Sequence, residues 1–193
     1  MKNKSNEKIN IFWFRRDLRL DDNAGLWHAL ASGKPVLPIF IFDTNILNKL
    51  TDKHDRRLSF IHKTILSIQE KLIRYGTALS VYHDKPESVF KLLLKQYDIS
   101  NVYTNHDYEP YAIERDACIN NLLSNHSISL HTYKDHVIFE KDEIVKDDGK
   151  PYTVFTPYSR KWKATLQEKH LEPYACGKLS GNFLNNPQRL SFL

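Results

Sequence analysis

Five short apolar runs alternate with segments of helical periodicity along this chain, and the alternation constrains its fold more than any other feature. The runs cover residues 9–14, 36–42, 78–83, 101–104 and 129–133. Strands that alternate with crossover helices pair in parallel, and the helices cover both faces of the sheet. The sequence therefore predicts an α/β fold, a doubly wound (Rossmann-like) parallel sheet of five strands with helices on both faces.

Capping and breaking residues place several ends of these elements. Asp22 or Asn23 is a suitable N-cap for the first helix, and Pro86 and Pro110 are suited to the first turns of later helices. Pro38 lies inside the second apolar run, where it removes a donor from the ladder of an interior strand. We therefore expect a local bulge at Pro38.

After residue 137 the pattern changes to short β-like pieces and a turn at Asp147-Asp148-Gly149. An aromatic and basic helix is predicted from Pro157 to Lys169. Residues 172–193 are rich in Asn, Gly, Pro and Ser without periodicity, which is typical of a linker. A chain of 193 residues with 41% hydrophobic residues is long enough for one domain. We expect that domain over residues 1–170 and a linker over residues 171–193.

Composition limits the compartment and the partners. The first eight residues are polar, and the longest apolar run, residues 36–42, is too short to span a bilayer. The two cysteines, Cys118 and Cys176, are too few for a disulfide framework and fit a reducing compartment. We expect a soluble, cytoplasmic protein with no membrane partner. The net charge of +5 suits a nucleic-acid partner but is equally common in other domains.

Several catalytic classes lack their residues in this chain. No glycine-rich turn follows the first run, which argues against an NAD-dependent oxidoreductase or an NTPase. The nine histidines include no close pair typical of zinc sites, and no Gly-x-Ser-x-Gly elbow is present. The sequence therefore predicts no catalytic residue and no metal ligand.

Charged and aromatic residues follow the predicted strands, where ligands of doubly wound sheets bind. They are Arg15, Arg16 and Asp17 after the first strand, Asp43 after the second, and Asn105, Asp107, Tyr108 and Glu109 after the fourth. Such a rim suits a planar ligand with polar edges, because arginine forks and carboxylates bind ring edges and aromatic rings stack. Salt bridges that fix the first loop are an equally good interpretation.

The predicted basic helix also has two interpretations. Tyr158 and Trp162 alternate with Arg160, Lys161 and Lys163, a pattern that can contact single-stranded or distorted DNA. The same pattern can pack one helix face against a neighbouring domain, which we favour.

A long signature resembles one known family. The segment from Trp13 to Asn23, WFRRDLRLDDN, resembles the opening signature of photolyases and cryptochromes. The segments 105–116 (NHDYEPYAIERD) and 151–157 (PYTVFTP) follow in the family's order. The resemblance covers residues 9 to about 166.

The resemblance implies a two-domain flavoprotein. In this family an α/β domain holds a light-harvesting antenna pigment, and a C-terminal helical domain holds FAD and the damaged DNA. Excited, reduced FAD donates an electron that splits a cyclobutane pyrimidine dimer, so the cofactor performs the chemistry and the protein positions it. This chain would be the antenna domain of a deoxyribodipyrimidine photolyase, with its own FAD domain and damaged DNA as partners, and would be inactive alone.

The resemblance also implies an antenna site. Matching positions are Arg16 in the first loop, Phe40 and Asp43 at the end of the second strand, Arg57 in the first long helix, and Asp107 and Glu109 in the fourth-strand loop. Folate-binding members carry an Asn-Glu pair where this chain has Tyr111 and Ala112, so a deazaflavin or FMN is favoured over folate.

Two alternatives stay open. The chain could belong to a cryptochrome, a blue-light receptor whose discriminating residues lie around FAD. It could also be a free-standing nucleotide-binding α/β domain, because fold does not determine function.

Overall fold

The structure, a computed structural model, describes residues 7–52 and 55–185 and contains a parallel sheet with helices on both faces. The strands are β1 (Lys8–Phe14), β2 (Val36–Asp43), β3 (Ser80–Asp84), β4 (Asp98–Asn105) and β5 (Ser129–Tyr133). The helices are α1 (Ala24–Ala31), α2 (Thr44–Leu47), α3 (Arg56–Arg74), α4 (Pro86–Gln96), α5 (Pro110–Ser124) and α6 (Phe155–Thr165), with short 3-10 helices at Lys141–Glu143, Glu168–His170 and Cys176–Asn182. None of these described helices is both long and apolar enough to cross a membrane.

The sheet has the order β3-β2-β1-β4-β5, and neighbouring strands pair in parallel. The chain moves outward from β1 to β3 on one side and returns to β4 on the other side. The strand order therefore reverses between β1 and β4, and in open α/β sheets this switch point is where ligands bind. The predicted fold class is confirmed.

Both faces of β1 are buried, which explains its continuous apolar run. Phe12 and Phe14 pack with α1 and α3 in one hydrophobic cluster. Ile11 and Trp13 alternate with them and pack with α4 and α5 in a second cluster on the opposite face. The four residues from Ile11 to Phe14 are therefore all apolar, whereas a half-exposed strand would alternate; the buried polar residue of β1, Asn10, donates to the Ser32 hydroxyl at 2.6 Å.

The bulge predicted at Pro38 is wrong. The β1–β2 register runs through the pair Phe12 and Pro38 without a shift. The carbonyl of Val36 accepts from the amide of Leu184, so the backbone polar groups of Val36 point away from β1. Residues two apart in a strand point their backbone polar groups to the same side, so the Pro38 nitrogen also points away from β1. On that side β2 pairs with β3 only from Ile39 onward. The N–H that Pro38 lacks would therefore have no partner in the sheet. The observed irregularity lies instead between Ile9 and Asn10, in the β1–β4 pairing.

The segment after β5 differs in part from the prediction. The β-like pieces expected after residue 137 are not strands; residues 134–154 hold turns and the 3-10 helix Lys141–Glu143. The predicted turn is present, with Gly149 at a φ of 77°. Helix α6 begins two residues before Pro157, which the first helical turn tolerates because its amides need no helical partner.

The first part of the expected linker packs on the α/β core. Cys176 and Phe183 are buried in the cluster that contains α1 and α3. Phe183 forms a parallel bridge with Val36, and the amide of Leu184 donates to the Val36 carbonyl at 2.8 Å. Residues 186–193 of the expected linker lie outside the described residues. A division at residue 170, with a connection to a second domain, stays a prediction.

Two phenylalanines test whether this segment stabilises the domain. Phe183 is 8% exposed and Phe155 on α6 is 77% exposed. We expect Phe183→Ala to lower the free energy of unfolding by about 2–4 kcal/mol, because it leaves a cavity against α1 and β2. Phe155→Ala, the matched control, should change it by less than about 0.5 kcal/mol. Urea denaturation of both variants measures the difference, and equal effects would mean that the segment does not stabilise the core.

Candidate functional site

A buried network of amides and one carboxylate fixes the loop after β1. Asn105, the last residue of β4, donates from Nδ2 to Asp17 and, at 2.9 Å, to Oδ1 of Asn23. Asp17 in turn accepts from the amide of Arg15 at 2.8 Å. Asp17, Asn23 and Asn105 are all buried, so breaking one bond would leave a buried polar group without its partner. The loop therefore has one strongly preferred conformation.

Side chains occupy the first amides of α1. The amide of Ala24 donates to Asp135 at 2.9 Å, that of Gly25 to Asn105 at 2.8 Å, and that of Leu26 to Asn23 at 3.0 Å. In dinucleotide-binding domains the corresponding amides bind phosphate. Here the protein's own oxygens take that place, so a ligand at this edge must be recognised mainly by side chains.

Gly25 is required by the close approach of α1 to β4. A Cβ at this position would lie 2.6 Å from Oδ1 of Asn105, 3.0 Å from the Phe12 ring and 3.1 Å from the Thr104 carbonyl carbon. Two of these atoms belong to a buried hydrogen bond or to backbone, which cannot move easily. The glycine thus allows the Asn105 amide to reach both the helix and the first loop.

Arg15 is a buried structural cation. Its Nη1 lies 2.6 Å from both oxygens of Asp116 on α5, and its Nη2 donates to the carbonyl of Asn105. Burial lowers the pKa of Arg15, and the Asp116 carboxylate partly offsets this effect. The guanidinium also lies 5.2 Å from the centre of the Trp13 ring. Arg15 therefore ties β1 to α5 and is not available to a ligand.

Arg16 is the exposed cation at the switch point. Its side chain is 60% exposed, and its Nε lies 3.3 Å from Oδ2 of Asp107. Its Nη2 lies 3.6 Å from Oε1 of Glu109, which is also 60% exposed. The structure thus brings together three of the six predicted site residues, from the loops after β1 and β4.

Asp43 joins this group through two residues of α5. The carboxylate of Asp43 accepts from the Tyr111 hydroxyl at 2.6 Å, and the Arg115 guanidinium lies 5.9 Å from the Tyr111 ring centre. Arg115 also lies 4.0 Å from Oδ2 of Asp107. Burial and the hydrogen bond to Asp43 raise the pKa of Tyr111 to about 12, so the hydroxyl stays a donor at neutral pH.

The other oxygen of Asp43 accepts from the amide of Asn45 at 2.9 Å and caps α2. Both carboxylate oxygens are therefore already in use. In this arrangement Asp43 can contact a ligand only in competition with Tyr111 or Asn45, and its present effect is to orient the Tyr111 hydroxyl.

The remaining two predicted residues lie apart from this group. Phe40 is 6% exposed and packs edge to face on Phe42, with 5.0 Å between ring centres, so its ring offers little surface to a ligand. Arg57, in the first turn of α3, is 76% exposed and pairs with Asp55 at 2.5 Å.

Sequence reasoning missed Arg115 and did not foresee the central part played by Asn105. Arg115 lies one helical turn after Tyr111, and that spacing on a helix that starts at Pro110 would have placed it beside the rim. Asn105 was identified as a strand-end residue, but no sequence signal distinguishes a buried bridging amide from an exposed one.

A pocket of about 240 Å³ opens beside Tyr111, between the start of α4 and the first turns of α5. Its wall includes Asn45, Lys85, Glu87, Glu114, Arg115 and Cys118. Cationic and anionic groups are mixed there, and the Cys118 thiol donates to Glu87 at 2.9 Å. The hydrogen bond to Glu87 is the main cause that raises the pKa of Cys118, so this thiol is a poor nucleophile.

The topology and the side chains at the switch point define a doubly wound α/β domain with a charged rim at the edge where sheets of this architecture bind ligands. The sequence model of the family described as DNA photolyase matches residues 10–176. The chain therefore belongs to the DNA photolyase family.

Named relatives include both photolyases and cryptochromes. A deoxyribodipyrimidine photo-lyase of Synechococcus is 30% identical over 154 residues, which cover 80% of this chain and 32% of that protein. Cryptochrome-2 of Arabidopsis thaliana is 28% identical over 162 residues, which cover 83% of this chain and 26% of that protein. This chain thus spans about a third or less of these relatives' lengths.

A solved structure has the same fold. The archaeal photolyase of Sulfolobus tokodaii superposes with a TM-score of 0.70 at 28% identity, over 82% of this chain and 35% of that one. That structure is described as containing two FAD molecules, with the implication of a novel light-harvesting cofactor.

Two glycines test the buried network. We expect Gly25→Ala to destabilise the chain by about 2–4 kcal/mol, because the new methyl group displaces the Asn105 amide and leaves buried donors unpaired. Gly181→Ala is the matched control, since a Cβ there meets no atom within 4 Å. Urea denaturation compares the two variants. A Gly25→Ala variant as stable as the control would show that the close approach is not required.

Proposed function

We propose that this chain is the antenna-chromophore domain of a photolyase and binds a light-harvesting pigment at the switch point between β1 and β4. The observation that carries the proposal is the position of Arg16, an exposed guanidinium between two carboxylates at the edge where ligands of this architecture bind. An exposed cation on such a rim can exchange its internal partners for a ligand, whereas the buried Arg15 cannot.

The occupied amides of α1 support a pigment held by side chains. A free-standing domain that binds nucleotide phosphate at this helix would need those amides, and Asp135, Asn105 and Asn23 already take them. We therefore prefer an antenna pigment to the alternative of a phosphate-binding α/β domain.

A deazaflavin or FMN is the proposed pigment class. The folate-type Asn-Glu pair is replaced by Tyr111 and Ala112, and the Tyr111 hydroxyl is engaged by Asp43. The description of two FAD molecules in the Sulfolobus relative also favours a flavin-like antenna. In this proposal Arg16 binds a polar or phosphate group, while Asp107 and Glu109 accept hydrogen bonds from ring or ribitol groups.

The proposed site also includes Phe40, Asp43 and Arg57, whose side chains already have other partners in the protein. Asp43 would act through Tyr111 unless the pigment displaces that hydroxyl. Phe40 would have to turn out of the core to lie against a pigment ring, and Arg57 would have to leave Asp55. We therefore expect smaller effects on pigment affinity from these three residues than from Arg16.

For the whole protein we propose repair of cyclobutane pyrimidine dimers in DNA by light-driven electron transfer from reduced FAD, which a C-terminal domain would hold. The photolyase relatives favour this activity. The match to cryptochrome-2 keeps a blue-light receptor as the second candidate. Residues around FAD would separate the two, so a repair assay on the whole protein is the deciding experiment.

Titration with pigments tests the antenna proposal. We expect the chain to bind FMN or a deazaflavin saturably and more tightly than a reduced folate. Arg16→Ala should weaken that binding about tenfold, because it removes a charge-assisted contact. Isothermal calorimetry measures both effects.

Arg160→Ala is the charge-matched control, since Arg160 is an exposed arginine on α6. It should leave the affinity unchanged. The proposed site would be wrong if a pigment bound equally well to the parent and to the Arg16→Ala variant. Failure of all three pigments to bind would instead contradict the antenna function.

The isolated chain should leave cyclobutane pyrimidine dimers intact under blue light, because the proposed electron donor belongs to another domain. Chromatography of irradiated oligonucleotides after illumination with the chain measures this. Light-dependent loss of dimers with this chain alone would contradict the assignment of the chemistry to a separate FAD domain.

A further inference from the structure

The segment after β5 contacts both loops that form the proposed pigment site. Asp135 accepts from the amide of Ala24 at 2.9 Å and lies 2.8 Å from Nη2 of Arg19 in the loop after β1. Glu140 binds the loop after β4. Two acidic side chains five positions apart thus contact the loops after β1 and β4.

Successive side chains of the loop after β4 face two different sets of partners. Asp107 and Glu109 face Arg16, as described above. The residues that alternate with them face the other way: His106 lies 2.8 Å from Oε2 of Glu140, and the Tyr108 hydroxyl donates to the same oxygen at 2.5 Å. Because the backbone is continuous, fixing one set of side chains fixes the direction of the other.

The geometry makes Glu140 a strong anchor. Its carboxylate is 15% exposed, and an ionised carboxylate only accepts, so Nδ1 of His106 is the donor and Nε2 faces the Thr132 hydroxyl at 3.0 Å. Burial alone would raise the pKa of Glu140, but the hydrogen bonds from Tyr108 and His106 hold that pKa below its ordinary value. Burial and the Glu140 carboxylate raise the pKa of Tyr108. The charged anchor and its neutral phenol donor are therefore the favoured pair.

Glu140 is itself held in place. Its amide donates to Oε2 of Glu143 at 2.6 Å, across the 3-10 helix Lys141–Glu143. Glu143 pairs with Lys134 at 2.7 Å, directly after β5. The anchor is thus connected through two short contacts to the residue that follows β5 in the sheet.

We propose that Glu140 is a positioning residue for the pigment site: by holding His106 and Tyr108 it aims Asp107 and Glu109 at Arg16 and at the ligand. The consequence for pigment affinity rests on the proposed antenna function, whereas the ordering of the loop does not. Glu140 lies outside the signature segments and would not contact the pigment.

The loop itself is tested first, without pigment. Glu140→Gln removes the charge that strengthens both hydrogen bonds and keeps the side-chain shape. Hydrogen exchange at the amides of residues 106–109 should become about threefold faster or more, because the loop opens locally. Asp142→Asn is the matched control: it removes one negative charge from an exposed residue on the same 3-10 helix and should leave this exchange unchanged.

Pigment affinity is the second readout. With FMN or the deazaflavin as the titrant, Glu140→Gln should weaken binding by about three- to tenfold, at a temperature where all variants are folded. In a background with both Asp107→Asn and Glu109→Gln the same substitution should have a much smaller effect, because the two carboxylates that Glu140 positions are already absent. A general loss of stability would weaken binding equally in both backgrounds.

The outcomes separate the two proposals. Unchanged exchange at residues 106–109 in Glu140→Gln, or an equal change in Asp142→Asn, would overturn the positioning role whether or not pigment binds. Faster exchange in a chain that binds no pigment would leave the positioning role standing and remove the antenna function. Faster exchange with equal affinity losses in the parent background and in the background without the Asp107 and Glu109 carboxylates would also overturn the proposal.

Discussion

The arrangement of the rim depends on the side-chain amide of Asn105. Placed at the end of β4, it accepts from the first turn of α1 through Gly25 and donates to Asp17 and Asn23 in the loop after β1. Loss of these partners would destabilise the protein by about 1–3 kcal/mol, because the buried amide would have neither water nor protein to bond. These polar bonds therefore fix the loop after β1 at the switch point, and Arg16 projects from that loop.

This construction separates the domain from phosphate-binding relatives of the same architecture. Those domains leave helix amides free for the ligand and use glycines to let it approach. Here Gly25 allows the close approach of the protein's own Asn105 side chain. The first amides of α1 donate to Asp135, Asn105 and Asn23. A ligand at this edge would therefore meet mainly the side chains of the rim, and the same architecture can serve different classes of ligand.

Much of the fold followed from local pattern. Five apolar runs and their order along the chain predicted the parallel sheet, because strands covered on both faces carry long apolar runs. The asparagine and proline signals predicted the starts of α1, α4 and α5. The bulge predicted at Pro38 was wrong, since the effect of a proline in a strand depends on which neighbour its nitrogen faces. Cys176 and Phe183 stand in a segment without periodicity, and their burial depends on a surface built by α1 and β2.

The sequence by itself determined the α/β class, the family resemblance and the charged residues that follow each strand, because these depend on short-range spacing. Only the tertiary structure decided which of those residues meet. Phe40 and Phe42 pack on the same hydrophobic cluster, and the chain alone does not say which ring is buried more deeply. Arg15 and Arg16 are adjacent and chemically identical, yet one is buried on Asp116 and the other is exposed beside Asp107. Successive side chains at a strand end point in different directions, and the partners that distinguish them come from distant parts of the chain.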